Sequence, residues 1–355
     1  GDAEPALLAV VAHHLVVDGV SWRTLLEDLH TAYTQAARGE DIALPQKSAS
    51  FRQWTERLKA VASELAVDRS ATSERSYWRA AVSAAPSPVP TDHDAPARAN
   101  TVGSSASVTR VLGTESTTAL LQDVSRAYAT DIVDLLLAAM GMTWREWTGA
   151  DHVLLDLEGH GRDALVSDLD TSRTVGWFTS QYPVRLFAES ADAAEAAIVA
   201  VKEQLRAVPS QGAGFGALRY ATEDAALAAE LADLPRADVL FNYFGQAARG
   251  LSAGLDWHLM PTPPAWDIAA DVTRTHVFEI NSVITDGDLQ VTWTFSTAWH
   301  DHRTIEHLAE RYVHHLRALI AHCVARTDRH YTPSDFPAAG LDQQSLTALI
   351  SKLQR

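Results

Sequence analysis

The chain has 355 residues, more than one hydrophobic core usually spans, so two lobes or domains are expected. Its 29 Lys and Arg against 45 Asp and Glu give a formal charge of −16, which argues against nucleic acid or an anionic membrane as partner. A single cysteine, Cys323, leaves no intrachain disulfide and fits a reducing, cytoplasmic setting, and no window reads as a membrane span or signal peptide.

In chain order, Leu7 to Ala12 is a continuous apolar run that reads as a strand buried on both faces. It starts so near residue 1 that the sequence is expected to begin inside a larger fold. Asp18 to Ser21 read as a turn, with Ser21 able to cap a helix. Leu25, Leu26, Leu29, Ala32, Tyr33 and Ala36 then fall at helical spacing, and Gly39 is the expected stop. Further helices are expected over Phe51 to Val67 and around Tyr77 and Trp78. Residues 83–107, rich in Pro, Ser, Ala and Asp, read as a connector.

A strand near Val108 to Leu112 follows, then two helices, the second from Ile132 to Trp147 and ended by Gly149. Val153 to Leu157 reads as a buried strand. Strand-like runs at Tyr182 to Phe187, Val239 to Tyr243, Val277 to Val283 and Leu289 to Phe295 alternate with amphipathic helices. The last long helix is expected over Arg303 to Ala325. This alternation predicts an α/β or α+β class.

Three stretches carry chemistry. In "VVAHHLVVDGVSW" (10–22) two histidines end the apolar run. On a strand their rings point in opposite directions, so one can face a cleft while the other packs inward. Both can equally be structural, bonded to backbone. Asp18 can orient a ring or hold an arginine and anchor the loop; the tight turn at Gly19 favours the anchor. In "EGHGR" (158–162) the glycines flanking His160 imply unusual backbone angles or a close approach. Glu158 at a strand end can face a crevice, or pair with Arg162. In "SRTVGWFTSQYPV" (172–184), Trp177, Phe178 and Tyr182 line a pocket or build core.

Other signals exclude more than they assign. "PSQGAGFGALRY" (209–220) is Gly-rich but fits neither the dinucleotide fingerprint nor the Walker motif. There is no G-x-S-x-G elbow. His307, His314, His315 and His322 share the last helix without a metal-site spacing, so a solvated face is expected there and no metal.

Together "HHLVVDGVSW" (13–22), "EGHGR", "SRTVGWFTSQYPV", "PSQGAGFGALRY" and "FNYFGQ" (241–246) resemble, in order and spacing, the epimerization domains of nonribosomal peptide synthetases, within the condensation-domain superfamily. The HHxxxDG pattern marks only the superfamily; "EGHGR" and "GWFT" point to epimerization. "YTPSDFPAAGLDQQSLTALISKL" resembles the linker that follows such domains, and Phe215 stands where the family often has tyrosine. In the family the double histidine follows a strand-and-helix region, whereas here it lies at residue 13. The first part of the N-terminal lobe is therefore expected to be absent.

The resemblance implies two chloramphenicol-acetyltransferase-like lobes in a V with a central tunnel. Residues 1–100 would be the rest of the N-terminal lobe, 101–330 the C-terminal lobe, and 331–355 a linker. It implies His14 and Glu158 as the catalytic pair across the tunnel, with His13, Asp18, Arg162 and Tyr243 in support. Trp177, Phe178 and Asn242 would line the tunnel. The implied reaction inverts the α-carbon of an L-aminoacyl or peptidyl thioester by acid–base proton transfer. The substrate would ride on the phosphopantetheine arm of an upstream peptidyl carrier protein, with neighbouring synthetase domains as further partners and no cofactor of the domain's own. The rival readings are a condensation domain, sharing His14 and Asp18 but without need of Glu158, and an inactive module that only docks carrier proteins.

Overall fold

The computed structural model describes residues 8–82, 88–162, 165–187, 189–190, 193–245 and 268–353. Three helices come first: α1 (Gly19–Ala37), α2 (Phe51–Val67) and α3 (Glu74–Ala81). Asp18 caps α1 by accepting from the Ser21 amide at 2.7 Å, so the cap lies three residues before the expected Ser21. Ser50 and Gln53 cap α2 reciprocally.

The remaining chain builds a six-stranded sheet from β1 (Ser105–Val111), β2 (His152–Gly159), β3 (Ser180–Phe187), β4 (Val239–Tyr243), β5 (Phe278–Thr285) and β6 (Asp288–Ser296). The order is β1-β6-β5-β4-β2-β3. β2, β4 and β5 run parallel, and β1, β3 and β6 pair antiparallel. The sheet is therefore mixed and the class α/β, as the alternation predicts. Among the described residues this is the one sheet, and residues 8–82 contribute helices only.

The pleat sorts side chains by parity. Phe278, Ile280 and Ile284 of β5 and Leu289, Val291, Trp293 and Phe295 of β6 are buried on one face. Glu279, Asn281, Thr292 and Thr294 turn to the other. The helices Ile132–Thr148 and His302–Ala325 pack on the apolar face. The long helix presents a stripe of Ile305, Leu308, Tyr312, Leu316 and Leu319, and the Tyr312 hydroxyl donates to the Leu136 carbonyl at 3.1 Å. The polar face carries hydroxyl pairs such as Thr109 with Thr292 at 2.9 Å. Asp286 and Gly287 close the β5–β6 hairpin with φ of 51° and 87°. Positive φ at both central positions matches the strand twist.

Several expectations are corrected. Residues 8–13 form no strand, and Leu8, Val10 and Val11 are 63%, 49% and 74% exposed. A strand needs a neighbour for its amides, and none pairs with this run among the described residues. His315 is not on a solvated face: it is buried, with Nε2 2.6 Å from Glu146. The connector expected over 83–107 ends earlier, because β1 begins at Ser105; over 88–104 there is no α-helix or strand, only two short 3₁₀ turns, and residues 83–87 lie outside the described set.

The segment expected as a linker is docked. Lys202, on the helix Ala194–Ala207, is fully buried, and its ammonium donates to the Tyr128 carbonyl and to Asp335, both at 2.7 Å. Glu203 accepts from the Ser334 hydroxyl at 2.6 Å, and Thr332 and Leu346 are buried. No helix among the described residues is long and apolar enough to cross a membrane.

Candidate functional site

Three stretches of sequence converge on Arg162. Its guanidinium donates to Asp18 at 3.0 Å, to the Ser21 hydroxyl at 2.9 Å, and to the Thr171 and Thr174 carbonyls at 3.0 and 2.9 Å. It also stacks over the Phe178 ring at 4.1 Å. Asp18 completes the junction by accepting from the Phe178 amide at 3.2 Å, while its own amide donates to Gly176. Burial works to raise the Asp18 carboxyl, but hydrogen bonds from Ser21 and Phe178 and the Arg162 charge outweigh it and hold it below the usual range. Asp18 is thus the anchor that holds an arginine. Glu158 makes no pair with Arg162; that partner is taken.

Gly161 makes this convergence possible. Its φ is +63°, and a Cβ there would stand 1.9 Å from the Phe178 carbonyl oxygen. Phe178 packs with Phe51, Trp54 and Val166. Its side chain is therefore core of the junction, and it also forms part of a cleft wall.

Glu158 stands on the polar face of β2. The register Asp156↔Leu240 and Leu157↔Phe241 sets it beside Asn242 of β4, which donates to its carboxylate at 2.5 Å. Burial raises the Glu158 carboxyl above the usual range; positive charge on His14 and His276 opposes the rise, and Asp156 and Glu279 add to it. His14 is thus within electrostatic reach of Glu158 from a different part of the chain.

The double histidine does not sit on a strand. His14 opens a 3₁₀ turn, His14–Val16, and His13 is its N-cap. Strand alternation therefore does not apply. The His14 ring is exposed, with its centroid 5.5 Å from that of Trp177, which is 39% exposed. His13 does not pack inward: it too is exposed, and its Nδ1 accepts from the Leu15 amide at 3.1 Å. It shapes the turn that presents His14.

Tyr243 falls on the wrong face for support. It pairs with Ser282 in the β4–β5 ladder and packs with the core, on the opposite side of the sheet from Asn242 and Glu158. Burial raises its hydroxyl pKa. The site brings together His14, Trp177, Glu158 and Asn242, underlaid by Asp18 and Arg162; Tyr243 is outside it.

Sequence reasoning misses Asp156 and His276. Asp156 lies two residues before Glu158 on the same face and is bonded to His276 at 2.9 Å. Parity within the strand could have flagged Asp156; nothing local flags His276, 120 residues away. Both line a cleft of about 520 Å³ whose walls include Trp54, Phe178 and Arg219.

The condensation-domain profile matches residues 2–341. A linear gramicidin synthase of Brevibacillus parabrevis is 43% identical over 344 residues, which is 97% of this chain and 6% of that protein. Chondramide synthase of Chondromyces crocatus is 41% identical over 356 aligned positions, 99% of this chain and 9% of that one. The chain thus spans less than a tenth of the length of these curated relatives. The crystal structure of the epimerization domain from the third module of tyrocidine synthetase B matches with a TM-score of 0.77 at 35% identity, covering 89% of this chain and 69% of that one. With the mixed sheet, the HHxxxDG turn and the profile in agreement, the chain belongs to the condensation-domain family.

Proposed function

We propose that this chain epimerizes the α-carbon of an L-aminoacyl or peptidyl thioester carried on the phosphopantetheine arm of a peptidyl carrier protein. The observation that carries the reading is that His14 on its turn and Glu158 on β2, two groups chemically able to move protons, come within electrostatic reach from different parts of the chain. Inversion needs a base on one face of the α-carbon and an acid on the other. One group removes the α-proton to give an enolate, and the other returns a proton to the opposite face, so composition is unchanged. A carboxyl raised by burial is nearer to exchanging its proton at working pH. Asn242 fixes its orientation. The arm and its thioester come with the carrier, and the domain brings no cofactor of its own.

The 35% identity to an epimerization domain supports this reading. A second reading, peptide-bond formation between two carrier-bound acyl groups, is favoured by the name of the matching family. It would use His14 and Asp18 and leave Glu158 without a task.

The deciding experiment loads an L-aminoacyl or peptidyl thioester on the carrier protein in D₂O. Enzyme-dependent deuterium uptake at the α-carbon and D-product are expected. His14→Ala and Glu158→Gln should each reduce the rate about 10²–10⁴-fold. Uptake that survives Glu158→Gln would remove it from the proton-transfer pair, and peptide bond formation without uptake would favour condensation.

A further inference from the structure

Three carboxylates share the polar face around the site: Asp156, Glu158 and Glu279. Two of them have a partner able to carry positive charge. Glu279 accepts from Arg274 at 3.1 and 3.2 Å, and Asp156 is bonded to His276 at 2.9 Å. Glu158 has no ion pair among the described residues. It has the neutral Asn242 amide, and His14 within electrostatic reach. Asp156 and Glu279 lie on one row across β2, β4 and β5, either side of Leu240, and Glu158 lies one row further along, beside Asn242, with no ion pair of its own among the described residues.

His276 is built to hold its place in either protonation state. Its ring is 7% exposed. Nε2 faces Asp156 and Nδ1 faces the Thr275 hydroxyl at 3.0 Å. The neutral ring donates to Asp156 and accepts from Thr275; the imidazolium donates to both. The His276 carbonyl accepts from Asn100 at 2.9 Å, and Gln181 donates to Asp156 at 2.8 Å, so both partners are fixed from outside the pair. Asp238, at the start of β4, adds a third carboxylate within reach of the imidazole charge.

We propose that the Asp156–His276 pair is a positioning element that sets when Glu158 carries its proton. This rests on the acid–base reading of Glu158 above. The His276 charge offsets the Asp156 anion, which stands about 6.6 Å along the strand from Glu158. Without that charge, Asp156 becomes an unbalanced anion beside the catalytic carboxyl, and Glu158 holds its proton to higher pH. Among the described residues, the charged and titratable groups that act on Glu158 include His14 from the turn, Asp156 from β2, His276 before β5, and Glu279 from β5 with its Arg274.

The test titrates Glu158 directly, by carboxyl ¹³C NMR of the glutamate-labelled chain, with Glu158→Gln identifying the resonance. In His276→Gln the midpoint should rise. In the double variant His276→Gln with Asp156→Asn it should return toward wild type, because the unbalanced anion is gone. A purely structural role predicts that the double variant is at least as perturbed as the single. An unmoved midpoint in His276→Gln, or a double variant that does not return, overturns the proposal. Should His276→Gln fail to fold, Asp156→Asn decides alone: the midpoint must fall, and an unmoved one is fatal.

Deuterium uptake by the same variants is the second readout. His276→Gln should move the limb of the pH–rate profile that reports Glu158 to higher pH, changing the rate on that limb about threefold to tenfold while keeping the plateau. Wild type without any uptake would sink the epimerase reading, and the NMR titration would still judge the pair.

Discussion

Asp18→Asn tests the junction that anchors the site. The Asp18 and Arg162 side chains are 2% and 7% exposed and 3.0 Å apart, so the pair is buried. Removing one partner of a buried pair costs about 3–5 kcal/mol, because the other charge stays behind unbalanced. Asparagine keeps the helix cap, since its oxygen still accepts from Ser21. Arg162 also keeps two carbonyls and the Ser21 hydroxyl. The loss should therefore fall at the low end, about 3 kcal/mol.

The sign with pH follows from linkage. The folded Asp18 carboxyl lies below its unfolded value, taken as 3.8, so its contribution is complete above that value and is lost as pH falls through the folded one. Urea unfolding should show a wide gap between wild type and Asp18→Asn at pH 7, narrowing as the pH drops below about 4. Adding Arg162→Met should cost less than the two single losses summed, by about 1–3 kcal/mol. A gap under about 0.5 kcal/mol at pH 7, or one that stays constant into acid, would refute the argument.

Two further outcomes are expected. The folded Glu158 carboxyl is raised, so ionising it costs stability as pH rises past its unfolded value; Glu158→Gln should gain stability relative to wild type between pH 4 and pH 8. Thermal unfolding across that range checks it, and a relative loss at high pH would contradict the burial argument. Gly161→Ala should destabilise by more than about 2 kcal/mol, since the positive φ and the Phe178 carbonyl leave no room for a methyl group; an unchanged melting temperature would mean the two segments separate freely.

The elements legible in the sequence were those whose own residues decide them. The helix over Phe51–Val67 and the strand over Val239–Tyr243 fall where period and apolar runs place them. Leu7 to Ala12 has the composition of a buried strand, but composition does not supply a neighbour, and residues 8–13 stay exposed. Glu158 could be read from its strand end. The face of Tyr243 could not, because its parity against Glu158 depends on the β2–β4 register, which no single strand contains. Likewise both Asp18 and Glu158 were open partners for Arg162, and only the fold, joining residues 144 apart, chooses Asp18. His276 carried no local signal for the same reason.

The Lys202–Asp335 contact has a practical meaning for anyone grafting this chain onto another. Composition places the seam near residue 331, where the helix His302–Ala325 and its polar tail give way to Pro, Ser and Asp. A graft made there would strand a buried ammonium with only the Tyr128 carbonyl for company. It would also uncover the surface on which Thr332 and Leu346 rest. The workable seam lies beyond Leu346, so a chimera should carry residues 331–346 with the rest of this chain rather than take them from a donor.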